Sequence, residues 1–312
     1  MKKNNLMTIQ EVFFNYIKRW CQFLIERFNP SSYFFLIGTF VMAHLLIAGI
    51  SFSGPYLFTF IKKFILGALL SFLFFFKLRL YDEIKDYETD LLINPTRPLP
   101  RGLFSLSHFK LIIGIIIFLE LLLVGLWAPQ AIFILLFTIL YSLLMFKEFF
   151  IKDIIRPHLT TYALLHTIVS VPFSLTLLCS LAQVSYSEIP FEQKIFSLLS
   201  WPLFNIFEFG RKSFLKSEER VNINSYTSIF GKFGAIILVV LQVFFVVFFL
   251  YQIPQLIRPF FINYLSLLLL GFTFVMMSFI ILNLKWVGYL YRFFSSLFIV
   301  LIYSGVILSF LN

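Results

Sequence analysis

Charge is what this sequence lacks most: Asp, Glu, Lys and Arg make up 13% of its 312 residues, about half the share of a typical soluble domain. Most of the chain therefore does not face water. Cysteine is nearly absent too. Cys21 and Cys179 lie far apart with no CxxC spacing, which excludes a disulfide framework and a thiolate zinc site. Aspartate occurs only four times, so carboxylate chemistry has few places to sit. The first thirty residues lack the continuous apolar core and small-residue cleavage site of a secretory leader. A basic stripe and nucleic-acid motifs are also missing, so nucleic acid is not an expected partner despite a net charge of +10. The Lys and Arg residues stand between apolar segments, so the lipid bilayer's anionic headgroups and a phosphorylated substrate are the expected partners.

What fills the chain is apolar: 60% hydrophobic residues, with 45 Phe in long runs rather than at an amphipathic period. Helices that are apolar all round belong in a bilayer, and about 20 residues cross its core. That ruler predicts an all-α, polytopic membrane protein of about nine transmembrane helices. They fall at 32–51, 56–76, 108–127, 131–146, 158–184, 195–209, 233–251, 262–282 and 287–311. The spans at 131 and 195 are the shortest. Residues 1–30 form an N-terminal segment with Phe13, Phe14, Ile17 and Trp20 on one side and Lys18 and Arg19 on another, as in a helix lying at the membrane surface. Residues 31–312 form the transmembrane domain.

Loop charge sets the orientation. Lys77, Arg79, Lys85, Arg97, Arg101 and Lys110 fall in 77–110; Lys147, Lys152 and Arg156 in 147–156; Arg211, Lys212, Lys216, Arg220 and Lys232 in 211–232. The alternate connections hold few cations. The positive-inside rule then puts the basic loops and the N-terminus in the cytoplasm. The expected location is integral and multi-pass, in a bacterial-type inner membrane.

Five of the 15 acids fall within nine residues: Asp82, Glu83, Asp86, Glu88 and Asp90. On a continuing helix, Asp82, Asp86 and Asp90 stand at i, i+4 and i+8, one carboxylate row, with Glu83 beside it. Three like charges at a membrane edge repel in a low dielectric. A divalent cation offsets this, and Mg²⁺ takes one or two carboxylates with waters and substrate phosphates. The segment Asn94-Pro-Thr-Arg97-Pro-Leu-Pro-Arg101-Gly102 follows as a proline-framed loop carrying two planar guanidinium forks suited to phosphate oxygens. Arg97 and Arg101 also satisfy positive-inside anchoring, which accounts for their sign but not for the prolines.

With these residues the chain resembles the UbiA superfamily of intramembrane prenyltransferases. That family's first signature is Asn-Asp-x-x-Asp-x-x-x-Asp, followed by Arg-Pro-Leu and a glycine. Residues 82–90 fit it with conservative changes at the first two positions, and 94–102 match the arginine-proline segment. The family's second signature, Asp-x-x-x-Asp after span six, is altered here. Glu208 stands for the first acid, Lys212 occupies the place of the second, and Glu218 and Glu219 come later. Either Glu218 or Glu219 folds back to a second metal, or Arg211 and Lys212 bind phosphate directly.

The resemblance implies a UbiA-like helical bundle and Mg²⁺-dependent transfer of a prenyl group from a prenyl diphosphate to an acceptor at the cytoplasmic face. It implies Asp82, Glu83, Asp86, Asp90, Glu208 and Glu218 as metal ligands. Arg97, Arg101, Arg211, Lys212 and Tyr226 are implied as substrate contacts, and Asp82, Asp86, Asp90, Arg97 and Lys212 carry the chemistry. The acceptor is not named by the sequence. A non-catalytic protein that binds or transports a lipid phosphate is the alternative, motivated by the altered second signature. A CDP-alcohol phosphotransferase is disfavoured, because its Asp-Gly-x-x-Ala-Arg signature is absent. Within the spans, Glu120 is an intramembrane acid expected to pair with another span or line a cavity. His44 and His166 are expected as hydrogen-bonded packing, and Arg156 and His158 as edge residues able to touch an acceptor.

Overall fold

The computed structural model describes residues 9–50, 52, 54–219 and 224–311; Arg220 and residue 51, the expected end of the first span, lie outside these. Among the described residues every regular element is helical. In chain order they are α1 Ile9–Phe23, α2 Pro30–Ile47, α3 Leu57–Lys85, α4 Tyr87–Ile93, α5 Leu106–Trp127, α6 Ile132–Phe146, α7 Lys152–Ile155, α8 Leu159–Thr167, α9 Ser170–Ala182, α10 Phe191–Arg211, α11 Tyr226–Tyr251, α12 Pro259–Ile281 and α13 Lys285–Leu311. A single π turn, Leu24–Phe28, joins α1 to α2.

Among the described residues, eight helical segments are long and apolar enough to cross a membrane, α8 and α9 counting as one. The chain is thus an all-α, integral, multi-pass membrane protein. The remaining expected span, 195–209, lies inside α10. That helix has 21 residues and carries Glu192, Lys194, Glu208 and Arg211 near its ends, which dilutes its hydropathy. Its middle is nevertheless buried, and it packs against α8, α9, α11 and α13.

Local chemistry fixes the ends. Asn29 accepts from Ser32 N at 3.3 Å ahead of Pro30, which occupies the first turn of α2, where its missing N–H is not needed. Ser105 caps α5 through His108 N at 3.2 Å. Ser225 and Ser228 form a reciprocal capping box at the start of α11, at 2.9 and 2.8 Å. Span five breaks between Thr167 and Ser170. Pro172 has no N–H to give Ile168, and Val171 N bonds Ile168 O at 3.0 Å instead, a tighter turn.

Burial sorts the faces. Phe40, Phe74, Phe173, Phe196 and Tyr303 are enclosed, while Phe58, Phe133, Leu270 and Phe274 stand on the outer surface. In water such an outer surface would be a liability; in hydrocarbon it is the solvated face.

One boundary differs from expectation in a way that matters. The span at 56–76 continues as α3 to Lys85, so Lys77 and Arg79 are helical rather than in a loop. Both earn that placement by pairing. Lys77 is buried and bonds Glu120 of α5, and Arg79 bonds Glu83 one turn on at 2.5 Å. Glu120 thus meets the expectation of a partner on another span. His44 bridges α2 to α9 through Ser174 Oγ at 2.6 Å and is packing, as expected.

Candidate functional site

The helical hydrogen-bond ladder runs through the α3–α4 junction. Asp86 N bonds Asp82 O at 2.9 Å, and Asp90 N bonds Asp86 O at 2.8 Å. The three aspartates therefore keep their one-turn spacing, but they do not share one environment. Asp82 is 49% exposed and reaches Lys85 Nζ at 3.1 Å. Asp86 is exposed and, among the described residues, has no ion pair. Asp90 turns inward, 5% exposed, and both its oxygens accept from one terminal nitrogen of Arg97 at 2.6 Å, with Asn94 Nδ2 at 3.0 Å.

The other expected ligands are also engaged. Glu83, 1% exposed, takes Arg27 Nε at 2.6 Å and Arg79 at 2.5 Å, and so clasps the π turn to α3. Arg101 grips Glu26 of the same turn through two bonds of 2.9 Å and donates to Thr96 O at 2.8 Å. The Arg101 bonds to Glu26 hold its carboxyl below its ordinary value. Glu208 accepts from Arg211 Nε at 2.8 Å and Lys212 Nζ at 2.7 Å. Glu218 faces away, toward α13, where Arg292 holds both its oxygens at 2.8 and 2.9 Å.

Two distant stretches nonetheless converge. Arg211 feels the Asp82 carboxylate, and Asp86 feels the Lys212 ammonium. Tyr33 of α2 lies within the fields of Arg79, Asp82 and Arg211. Tyr226, fully buried, packs edge-on to Phe209 at 4.9 Å, its hydroxyl without a partner among the described residues and within the fields of Glu208 and Arg211. The charged groups at the C-terminal ends of α3 and α10 thus lie within one another's fields, a polar basin at the end of the bundle that carries the basic loops.

A third wall was not expected from the sequence. Glu148, Phe149 and Phe150 all adopt positive φ, 50°, 53° and 59°. This left-handed turn buries Glu148, which accepts from Arg156 Nε at 2.8 Å and Tyr162 Oη at 3.2 Å. Burial pushes the Glu148 carboxyl up, but the Arg156 bond, with Tyr162 and Lys85, outweighs it and leaves it lowered. Lys85 lies 3.5 Å from Tyr162 Oη. His166 stacks on Tyr162 at 3.9 Å, and its Nδ1–H donates to Tyr162 O at 2.7 Å. Arg156 in turn feels Asp86. No signal in the sequence marks this turn, because it holds no Gly or Asn.

Asp86 lies within the fields of Lys85 and Lys212, and Arg156 within that of Asp86, so cations from three elements act around it. Although the side chain reaches the surface, crowding by the surrounding protein pushes its carboxyl above its ordinary value of 3.8. The Asp82 and Asp90 charges push it the same way, against Lys85 and Lys212.

Among the described residues no three His, Cys, Asp or Glu side chains gather as an all-protein metal site requires. Mg²⁺ is ordinarily held by one or two carboxylates, with substrate phosphates and waters completing its shell. Asp82 and Asp86, one turn apart and accessible, fit that open kind of site; Glu83, Asp90, Glu208 and Glu218 are committed to arginines and lysines. No family model, curated protein or solved structure matches the chain.

Proposed function

We propose that this chain is a membrane-embedded, Mg²⁺-dependent prenyltransferase that takes a prenyl diphosphate and an acceptor at the cytoplasmic mouth of its bundle. The observation that supports this best is the convergence of Asp82 and Asp86 with Arg211 and Lys212, across more than a hundred residues of sequence. Acidic and cationic groups from both stretches act on one another at the end of an apolar bundle, as an amphiphile with a diphosphate head requires. The likeness of residues 82–102 to the UbiA signature points the same way.

In this reading Asp82 and Asp86 hold the metal, and Lys212 and Arg211 face the diphosphate oxygens. When bound, Mg²⁺ neutralises charge on the departing diphosphate. The prenyl C1–O bond breaks with both electrons leaving on the diphosphate. An electron pair of the acceptor forms the new bond to C1, and the acceptor's proton passes to water. Fixed cations aimed at the leaving group supply the main electrostatic stabilisation. Glu83 and Asp90 serve as clasps that hold the carboxylate-bearing turn against the π turn and the 94–102 loop. Glu208 orients Arg211 and Lys212, and Glu218 anchors its loop to α13.

The altered second signature favours one rival: Lys212 replaces an acid, and Glu218 is turned to Arg292. A protein that binds a lipid diphosphate without cleaving it would tolerate both. Release of inorganic pyrophosphate from a labelled prenyl diphosphate, in detergent with Mg²⁺ and a panel of aromatic and lipid acceptors, separates the two. Release that vanishes in Asp86→Asn supports transfer. Tight binding with no release under any acceptor leaves only the binding protein.

A further inference from the structure

Four arginines lie at the helix ends and loops on this side of the bundle, and three of them each donate from at least one terminal amino group. Arg97 spends one on both oxygens of Asp90, Arg101 spends both on Glu26, and Arg211 holds Glu208 through Nε and a terminal nitrogen. Arg156 differs. Only its inner Nε is used, on Glu148 at 2.8 Å. No described residue accepts from its two terminal amino groups, and the side chain is 47% exposed.

The backbone is deformed to achieve this. Three successive non-glycine residues, Glu148 to Phe150, sit at positive φ, each at a cost of about 1–3 kcal/mol. Phe149 packs against Tyr141 and His166, at 5.6 and 6.3 Å between ring centres, and holds the turn. The result is a buried carboxylate that grips a guanidinium by its back edge, while Tyr162 steadies the same oxygen at 3.2 Å. The Arg156 side chain is half-exposed and lies within the field of Asp86. A solvated surface arginine needs neither a buried counter-ion nor a strained turn.

We propose that Arg156, aimed by Glu148, is the arginine that binds the phosphoryl anion in this basin. The proposal rests on the function proposed above and adds a contact to it. A planar fork with both outer nitrogens free matches two oxygens of one phosphoryl group. Arg97 and Arg101, the arginines the sequence points to, act instead as structural clasps. Glu148 is a positioning residue: it touches no ligand and acts through Arg156. The anion is either the diphosphate of the substrate or the headgroup of an anionic phospholipid, and we assign it to the diphosphate because Asp86 and Lys85 border the same space.

The test is equilibrium binding to the purified full chain in detergent with Mg²⁺. The probes are inorganic pyrophosphate, farnesyl diphosphate, farnesol and phosphatidylglycerol. Arg156→Lys keeps the charge and removes the fork. It is expected to weaken both diphosphates about tenfold while leaving farnesol and phosphatidylglycerol unchanged. Glu148→Gln is expected to weaken the same two probes, and to add little on top of Arg156→Lys, since the two act as one unit. Lys152→Ala, a neighbouring surface cation, is the control and keeps wild-type affinity. Thermal unfolding confirms that each variant is folded, and Arg156→Lys, being half-exposed, keeps the test open should Glu148→Gln unfold. Unchanged diphosphate affinity in Arg156→Lys and Arg156→Ala, with Asp86→Asn still weakening it, overturns this inference and spares the proposed function. A loss confined to phosphatidylglycerol also overturns it, assigning Arg156 to the bilayer. No diphosphate binding by the wild-type protein removes both.

Discussion

Removing Glu83 and removing Asp86 should move stability in opposite directions, although the two stand three residues apart. Glu83 is 1% exposed and neutralises Arg27 of the π turn and Arg79 of α3. Glu83→Ala leaves two guanidiniums facing each other. Deleting one member of a buried ion pair costs about 3–5 kcal/mol. Here the arginines keep 17% and 21% of their side chains exposed, so water screens part of the loss and about 2 kcal/mol remains. Asp86 has no such partner and two like charges, one turn above and one below. Asp86→Asn relieves both repulsions, each about 0.2–0.5 kcal/mol before solvent screening, and so stabilises slightly. The pH sign follows. A carboxyl raised in the folded state binds its proton more readily there, so this site adds stability as pH falls through its folded value toward 3.8. Asp86→Asn removes that gain. The assay is thermal unfolding in detergent followed by tryptophan fluorescence, at neutral pH and near pH 5. Glu83→Ala within about 0.5 kcal/mol of wild type, or Asp86→Asn losing as much as Glu83→Ala, would refute the division into clasp and site.

Other consequences are as direct. Lys77→Ala leaves Glu120 uncompensated inside the bundle and should cost about 3–5 kcal/mol, whereas Lys77→Met with Glu120→Leu should recover most of it; unfolding titrations of the three proteins check the cycle. Gly210 lies where a Cβ would collide with Ser295 of α13, so Gly210→Ala should part the two helices and cost about 1–3 kcal/mol. Cys21 is exposed on α1 and Cys179 is buried. A membrane-impermeant maleimide should therefore label Cys21 alone, and only in inside-out vesicles if the N-terminus is cytoplasmic.

The bundle was legible because apolar runs of bilayer length and alternating loop charge both act locally. Where the reading slipped, a distant partner decided. Lys77 and Arg79 look like loop cations until Glu120 and Glu83 supply counter-charges, and only then can α3 continue to Lys85. Helix α10 carries charge at both ends and reads as a short span, yet it packs between α9, α11 and α13. In the two loops, the sequence does not say who pairs with whom. Asp90, a metal ligand by the resemblance, holds Arg97, and Arg101, a substrate contact by the resemblance, holds Glu26. Glu148 was invisible, because nothing in Lys147-Glu148-Phe149-Phe150 announces a left-handed turn. Long-range ion pairing and strained backbone are settled by tertiary packing, and no pattern along the chain encodes them.

The most direct measurement is binding of a radiolabelled prenyl diphosphate to the purified protein, with Mg²⁺ and with the metal chelated, in wild type and Asp86→Asn. Saturable binding that needs Mg²⁺ and drops at least tenfold in Asp86→Asn is the expected result. Binding that is indifferent to chelation, or equal in the variant, would contradict a metal-bridged diphosphate at the meeting point of α3 and α10.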